Sequence, residues 1–206
     1  MLKRASLLVA LVVALPFAAF AGSQVDFTNA GGTLTGSSSG MSLANSTLIA
    51  VNGMGGGGLV TGISLGSFSF STGALTSGNL QMGGTFAGGG SVLIVGNGIN
   101  GVTAGTIFSG SFSGPVTWSV ITLANGTHNY TLVGSISGNY ANGTAANGAT
   151  VQLTYNTGKG WFNGKVAGSS GDTNISQSVA PEPGTLALLG TGLLGVAGAI
   201  RKRLAA

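Results

Sequence analysis

The sequence predicts an all-β body, a two-sheet β-sandwich of jelly-roll type, flanked by an N-terminal signal peptide and a C-terminal transmembrane helix. Three observations lead there. Short runs alternate apolar with small or polar residues, turn dipeptides separate the runs, and no helical period occurs between Gly22 and Ala180. Gly66-Ser-Phe68-Ser-Phe70 is the first clear run, and period two places both phenylalanines on one sheet face. Ser91-Val-Leu-Ile-Val95 is apolar without a break, which predicts a strand buried on both faces. Val116-Thr-Trp118-Ser-Val120, Tyr130-Thr-Leu132 and Val151-Gln-Leu153-Thr-Tyr155 alternate again. Asn-Gly pairs at 52–53, 100–101, 125–126, 142–143, 147–148 and 163–164 mark turns, several of them hairpin-like. A β-solenoid is the alternative architecture, but no fixed repeat period supports it.

Composition agrees with a folded body over residues 22–178, roughly 160 residues, enough for one domain with a core. Forty glycines in 206 residues would suit disorder, but disordered chains are usually charged and poor in aromatics. Here only 5% of residues are charged, and aromatics recur along the whole body. Low charge leaves sheet edges with little to discourage pairing, and glycine-rich strands hold register weakly. The formal charge of +4 belongs to the ends, in Lys3, Arg4, Arg201, Lys202 and Arg203 less Glu182. Lys159 and Lys165 cancel Asp26 and Asp172 in the body, so no basic surface for nucleic acid exists. The chain has no cysteine, which excludes a lipoprotein anchor and a disulfide framework.

The N-terminus is a secretory signal, residues 1–21. Lys3 and Arg4 precede an apolar stretch from Leu7 to Phe20, and Ala19 and Ala21 occupy the two positions that a signal peptidase reads. The secretion machinery and signal peptidase are therefore the first partners. Residues 179–206 form the other targeting segment. Pro181-Glu182-Pro183 opens it, residues 184–200 carry no charge, and Arg201-Lys202-Arg203 closes it. An apolar run ended by a basic cluster predicts a transmembrane helix with its C-terminus in the cytoplasm. The helix is short: 17 residues span about 25 Å of a core about 30 Å thick. Such a marginal span suits a temporary anchor.

This order of motif, apolar helix and basic stop resembles the PEP-CTERM sorting tail of exported proteins in Gram-negative bacteria. The resemblance implies that Pro181, Glu182 and Pro183 are recognised by an exosortase, a membrane cysteine transpeptidase. It implies that the enzyme cleaves near the motif and releases or re-anchors the body. One departure is Leu204-Ala205-Ala206, which trails the basic cluster.

Groups for chemistry in the body are scarce. Gly96-Asn-Gly98-Ile-Asn-Gly101 matches the dinucleotide-binding pattern, but no helical period follows to supply the amides that a pyrophosphate needs, so a tight turn is the expectation. His128, the one histidine, sits in Asn125-Gly-Thr-His-Asn-Tyr130 and is read as a solvated turn residue. Asp26 and Asp172 could serve as a glycosidase pair, yet they lie near opposite ends of the body sequence. The ligand set predicts neither metal nor cofactor. Trp118 and Trp161, with Tyr130, Tyr140 and Tyr155, could form a sugar-stacking face, although packing is the commoner role of such rings. The expected function is a non-enzymatic surface or extracellular-matrix protein associated with exopolysaccharide or biofilm. A secreted carbohydrate-binding module or weak glycan hydrolase is the alternative.

Overall fold

Alternation in the sequence becomes an inside and an outside. The computed structural model describes residues 24–168 and 170–176; the signal segment 1–21 and the sorting tail 179–206 lie outside the described residues. Thirteen strands follow one another: β1 Gln24–Ala30, β2 Thr33–Ser37, β3 Gly40–Asn52, β4 Val60–Ser71, β5 Leu75–Asn79, β6 Gly83–Phe86, β7 Gly89–Gly96, β8 Gly105–Phe112, β9 Val116–Thr122, β10 His128–Tyr140, β11 Ala145–Asn156, β12 Lys165–Ala167 and β13 Ser170–Ser176. Among the described residues the only helical element is a 3-10 turn, Met54–Gly56. None of these residues forms a helix long and apolar enough to cross a membrane.

The body is all-β, but it is not a jelly-roll sandwich, nor is it a solenoid. Eight strands close into an antiparallel barrel in the order β1-β3-β4-β7-β8-β10-β11-β13, and β13 pairs back onto β1. Strands next to each other in the ring follow one another in the chain, apart from short excursions. Period-two alternation could not distinguish the two architectures, because both bury one face of every strand. The decisive pairing joins Gln24 to Ser176 across nearly the whole body.

The remaining strands extend one end of the barrel. Strand β3 pairs with β1 along Thr47–Asn52 and with β2 along Gly40–Ala44, and β12 adds to β2. In the same way β10 pairs with β8 along Ile136–Tyr140 and with β9 along His128–Val133, while β6 and β5 add beyond β9. At the first switch the chain passes so close to β3 that a Cβ on Gly32 would meet the Ala44 carbonyl oxygen at 2.9 Å. Gly32 also has φ +91°, a conformation open to glycine at little cost.

One continuous core runs through both parts. Phe27, Leu48, Phe68, Ile94, Phe108, Ile136, Val151 and Ile175 fill the barrel. In the extension, Trp118 stacks on Tyr130 with centroids 4.9 Å apart, and Phe162 meets Trp118 edge-on at 5.3 Å. Their polar atoms are satisfied inside: Trp118 Nε1 donates to the Leu80 carbonyl at 2.9 Å, and the Tyr130 hydroxyl donates to the Gln81 carbonyl at 2.7 Å. The outer wall carries Ser67, Ser109, Ser135, Thr150, Gln152 and Asp172. Apolar inside and polar outside is the inverse of a membrane-spanning barrel.

The strand expected to be buried on both faces is buried on one. Val92 and Ile94 point into the core, whereas Leu93 is exposed on the wall of β7. Four of the Asn-Gly pairs fall in loops or turns and Asn52-Gly53 straddles the end of β3, but Asn147-Gly148 lies within β11, beside the register shift opposite Ile136 and Ser137.

Glycine has a packing role in this barrel. An eight-stranded ring encloses a space just wide enough for side chains to fill. Gly110 on β8 faces Gly138 on β10, and the Phe108 ring covers both, 2.9 and 2.8 Å from where their Cβ atoms would stand. Gly134 makes room for Phe112 in the same way. A Cβ on Gly138 would also strike the Ser109 carbonyl and the Gly110 Cα of β8, so replacing Gly138 by Ala should destabilise the body by about 3 kcal/mol or more. Gly114→Ala, where a Cβ meets nothing within 4 Å, should be close to neutral. Urea unfolding of residues 23–177, which form a compact unit of their own, compares the two.

Candidate functional site

Both targeting segments join the body at the same place. Gln24 and Ser176 are register partners on β1 and β13, so the two chain ends leave one rim of the barrel side by side. The loops 53–59, 97–104 and 141–144 belong to that rim, because they connect β3 to β4, β7 to β8 and β10 to β11. Pro181, Glu182, Pro183, Arg201, Lys202, Arg203, Ala19 and Ala21 lie outside the described residues.

Closure of the ring also brings together two acids that the sequence keeps far apart. Asp26 pairs in register with Asn174 and Thr28 with Asp172, which makes Asp26 and Asp172 diagonal neighbours on the outer wall. Partial burial raises the Asp26 carboxyl to about 6. The negative charge of Asp172 and a hydrogen bond shared with it push the same way, and the Phe27 amide opposes them weakly. Thr28 Oγ1 donates to Asp172 Oδ1 at 3.3 Å. Nothing in the sequence signals this pair except the parity of both positions, which puts them on the wall once their strands are paired.

A third cluster lies at the far end of the molecule. His128, read as a solvated turn residue, is instead 5% exposed at the start of β10. Its Nδ1 is 2.9 Å from Thr122 Oγ1, and its ring stacks on Trp161 with centroids 3.8 Å apart. The Trp161 loop is tied down by backbone bonds from His128 to Gly158 and from Thr157 to His128, and by Thr157 Oγ1 donating to the Gly160 carbonyl at 2.6 Å. Trp161 is thus a held ring, 42% exposed. Trp118 is 1% exposed and presents no face to solvent; Tyr130, Tyr140 and Tyr155 are buried with it. The expected aromatic face therefore reduces to Trp161.

The segment Gly96–Gly101 leaves β7 and turns without a helix, with Val102 N–H donating to the Ile99 carbonyl at 2.9 Å. It has no helix N-terminus to receive a phosphate. Among the described residues no group of three or more His, Cys, Asp or Glu side chains is placed to hold a metal ion.

A family model described as the PEP-CTERM protein-sorting motif matches residues 179–203. The chain carries that motif, which marks an exported protein targeted to an exosortase. No curated protein and no solved structure matches the chain.

The acid pair has a measurable signature. A carboxyl whose folded value lies above its unfolded value stabilises the fold when protonated. That contribution is complete below about 3.8 and is lost as pH rises through about 6. Asp26→Asn should therefore unfold at a higher temperature than wild type at pH 8, with the difference closing towards pH 4. Water still screens the group, so the gain is at most about 1 kcal/mol, or about 2–4 °C. Thermal unfolding of residues 23–177 across this pH range checks it.

Proposed function

We propose that this is a non-enzymatic surface or extracellular-matrix protein, held briefly by its tail, processed there by an exosortase, and associated with exopolysaccharide. The match at residues 179–203 carries the reading. The physics of the tail supports it. Residues 184–200 have no charge, and carrying Arg201, Lys202 and Arg203 across a bilayer would cost several kcal/mol. Translocation then halts with Pro181-Glu182-Pro183 at the outer membrane-water boundary. The prolines favour extended backbone around Glu182 and keep the helix from starting earlier.

The body supports a binding role over a catalytic one. His128 is occupied by Thr122 and Trp161, and neither acid is on its strand. The two acids are diagonal neighbours on the outer wall of the barrel, where Thr28 donates to Asp172. Trp161 offers a flat, held, uncharged surface, the kind on which a sugar ring stacks.

Two measurements test the reading. Glu182→Ala should leave membrane insertion intact and abolish processing in the native host; intact mass of the membrane-bound and released protein reads this. Processing at the normal rate would end the recognition role of the motif. Trp161→Ala should reduce co-sedimentation of the body with exopolysaccharide at least several-fold while its far-ultraviolet spectrum stays β-type. Unchanged co-sedimentation would remove Trp161 from the binding surface.

A further inference from the structure

The barrel rim from which the chain ends emerge has an unusual surface. Ile63 is 93% exposed, and Leu59 and Ile99 are exposed in the connections that precede β4 and follow β7. Leu59 and Ile99 sit on these connecting loops, but Ile63 does not. Ile63 lies within β4, just before a kink at Ser64, where φ is +62°. The kink sends Leu65 fully into the core and leaves Ile63 outside. The kink is itself clamped: Asn97 Nδ2 donates to the Ser64 carbonyl at 2.9 Å, and the Asn97 amide donates to the Leu65 carbonyl at 2.9 Å. Asn100, on the adjoining connection, is also left-handed, with φ +53°. Two of the three non-glycine residues with positive φ among the described residues therefore hold this apolar rim in place.

The rim is also uncharged. Segments 53–64, 97–104 and 141–144 contain no Asp, Glu, Lys or Arg, and neither do residues 177–180. From Ser176 the chain has only five steps to Pro181, a reach of at most about 17 Å. A body tethered that closely presents the rim carrying its tail to the membrane that holds the tail.

We infer that this rim rests on the lipid surface while the tail is inserted, with Ile63, Leu59 and Ile99 dipping into the interfacial layer of the bilayer. The inference rests on the tail reading above. A lipid interface suits the rim on three counts: apolar side chains, with Ile63 on a clamped backbone, loops without charge to desolvate, and a tether too short to carry the rim far away. Docking fixes the distance of Pro181-Glu182-Pro183 from the bilayer, and processing releases the body from the surface.

The absence of native cysteine makes the test clean. Full-length Ile63→Cys, carrying an environment-sensitive fluorophore, is reconstituted into phosphatidylethanolamine–phosphatidylglycerol vesicles. Leu123→Cys, labelled alike in the hairpin connection at the opposite end, is the comparison. The expected result is flotation of both proteins with the vesicles. The Ile63 label should show a blue-shifted emission that brominated lipid quenches, and the Leu123 label should stay aqueous. Flotation with equal, aqueous emission from both labels overturns the docked rim alone. A blue shift that grows with protein-to-lipid ratio and resists brominated lipid assigns the rim to a second copy and also overturns it. Failure to float overturns the tail reading, and this one with it.

Discussion

The structure depends on one pairing, β1 with β13. It closes eight strands into a ring, and a ring of eight has a nearly fixed interior. From that volume follows the otherwise odd composition. Phe108 and Phe112 need space that a uniform lining of branched residues would deny them, and Gly110, Gly134 and Gly138 supply it. Glycine here is the counterpart of the aromatic ring. The same closure answers the problem of unprotected edges: barrel strands have a partner on each side, and only β5 and β12, in the extension, end the pairing order. A chain with two lysines and two aspartates in its body protects its sheet by geometry where other proteins use charge.

Much of the local structure was legible in the sequence. Period two put Phe68 and Phe70, Trp118, Tyr130 and Leu132, and Val151 and Leu153 each on one sheet face, and those faces are buried. The tail was legible because its signal is linear, a motif followed by an apolar run and a basic stop. Closure was not, because pairing Gln24 with Ser176 is a decision made by the whole chain. Everything that depends on closure was hidden with it, including the meeting of Asp26 and Asp172. His128 was misread for a different reason: its neighbours Asn125-Gly126 do form a turn, but the strand begins at His128 and the Trp161 loop folds over it. Leu93 illustrates a third limit, since an unbroken apolar run gives no hint of which face meets water.

The two ends of the barrel body differ. One rim of the barrel holds both junctions to the targeting segments. The opposite end holds the Trp118–Tyr130–Phe162 core and, outside it, the Trp161 ring on His128. Strands β3, β10 and β11 run from one part into the other, so the two ends share a single hydrogen-bonded frame.

That frame has a mechanical consequence. The tail follows β13 in the chain, and β13 is paired along its length with β1 on one side and over Ser170–Asn174 with β11 on the other. A pull on the tail acts along the axis of this strand and loads both ladders in shear, so their hydrogen bonds must yield together. Had the tail left from an edge strand such as β5 or β12, drag on the body could have peeled the sheet one bond at a time. A protein handled by its C-terminus is thus gripped at a point where its fold resists tension.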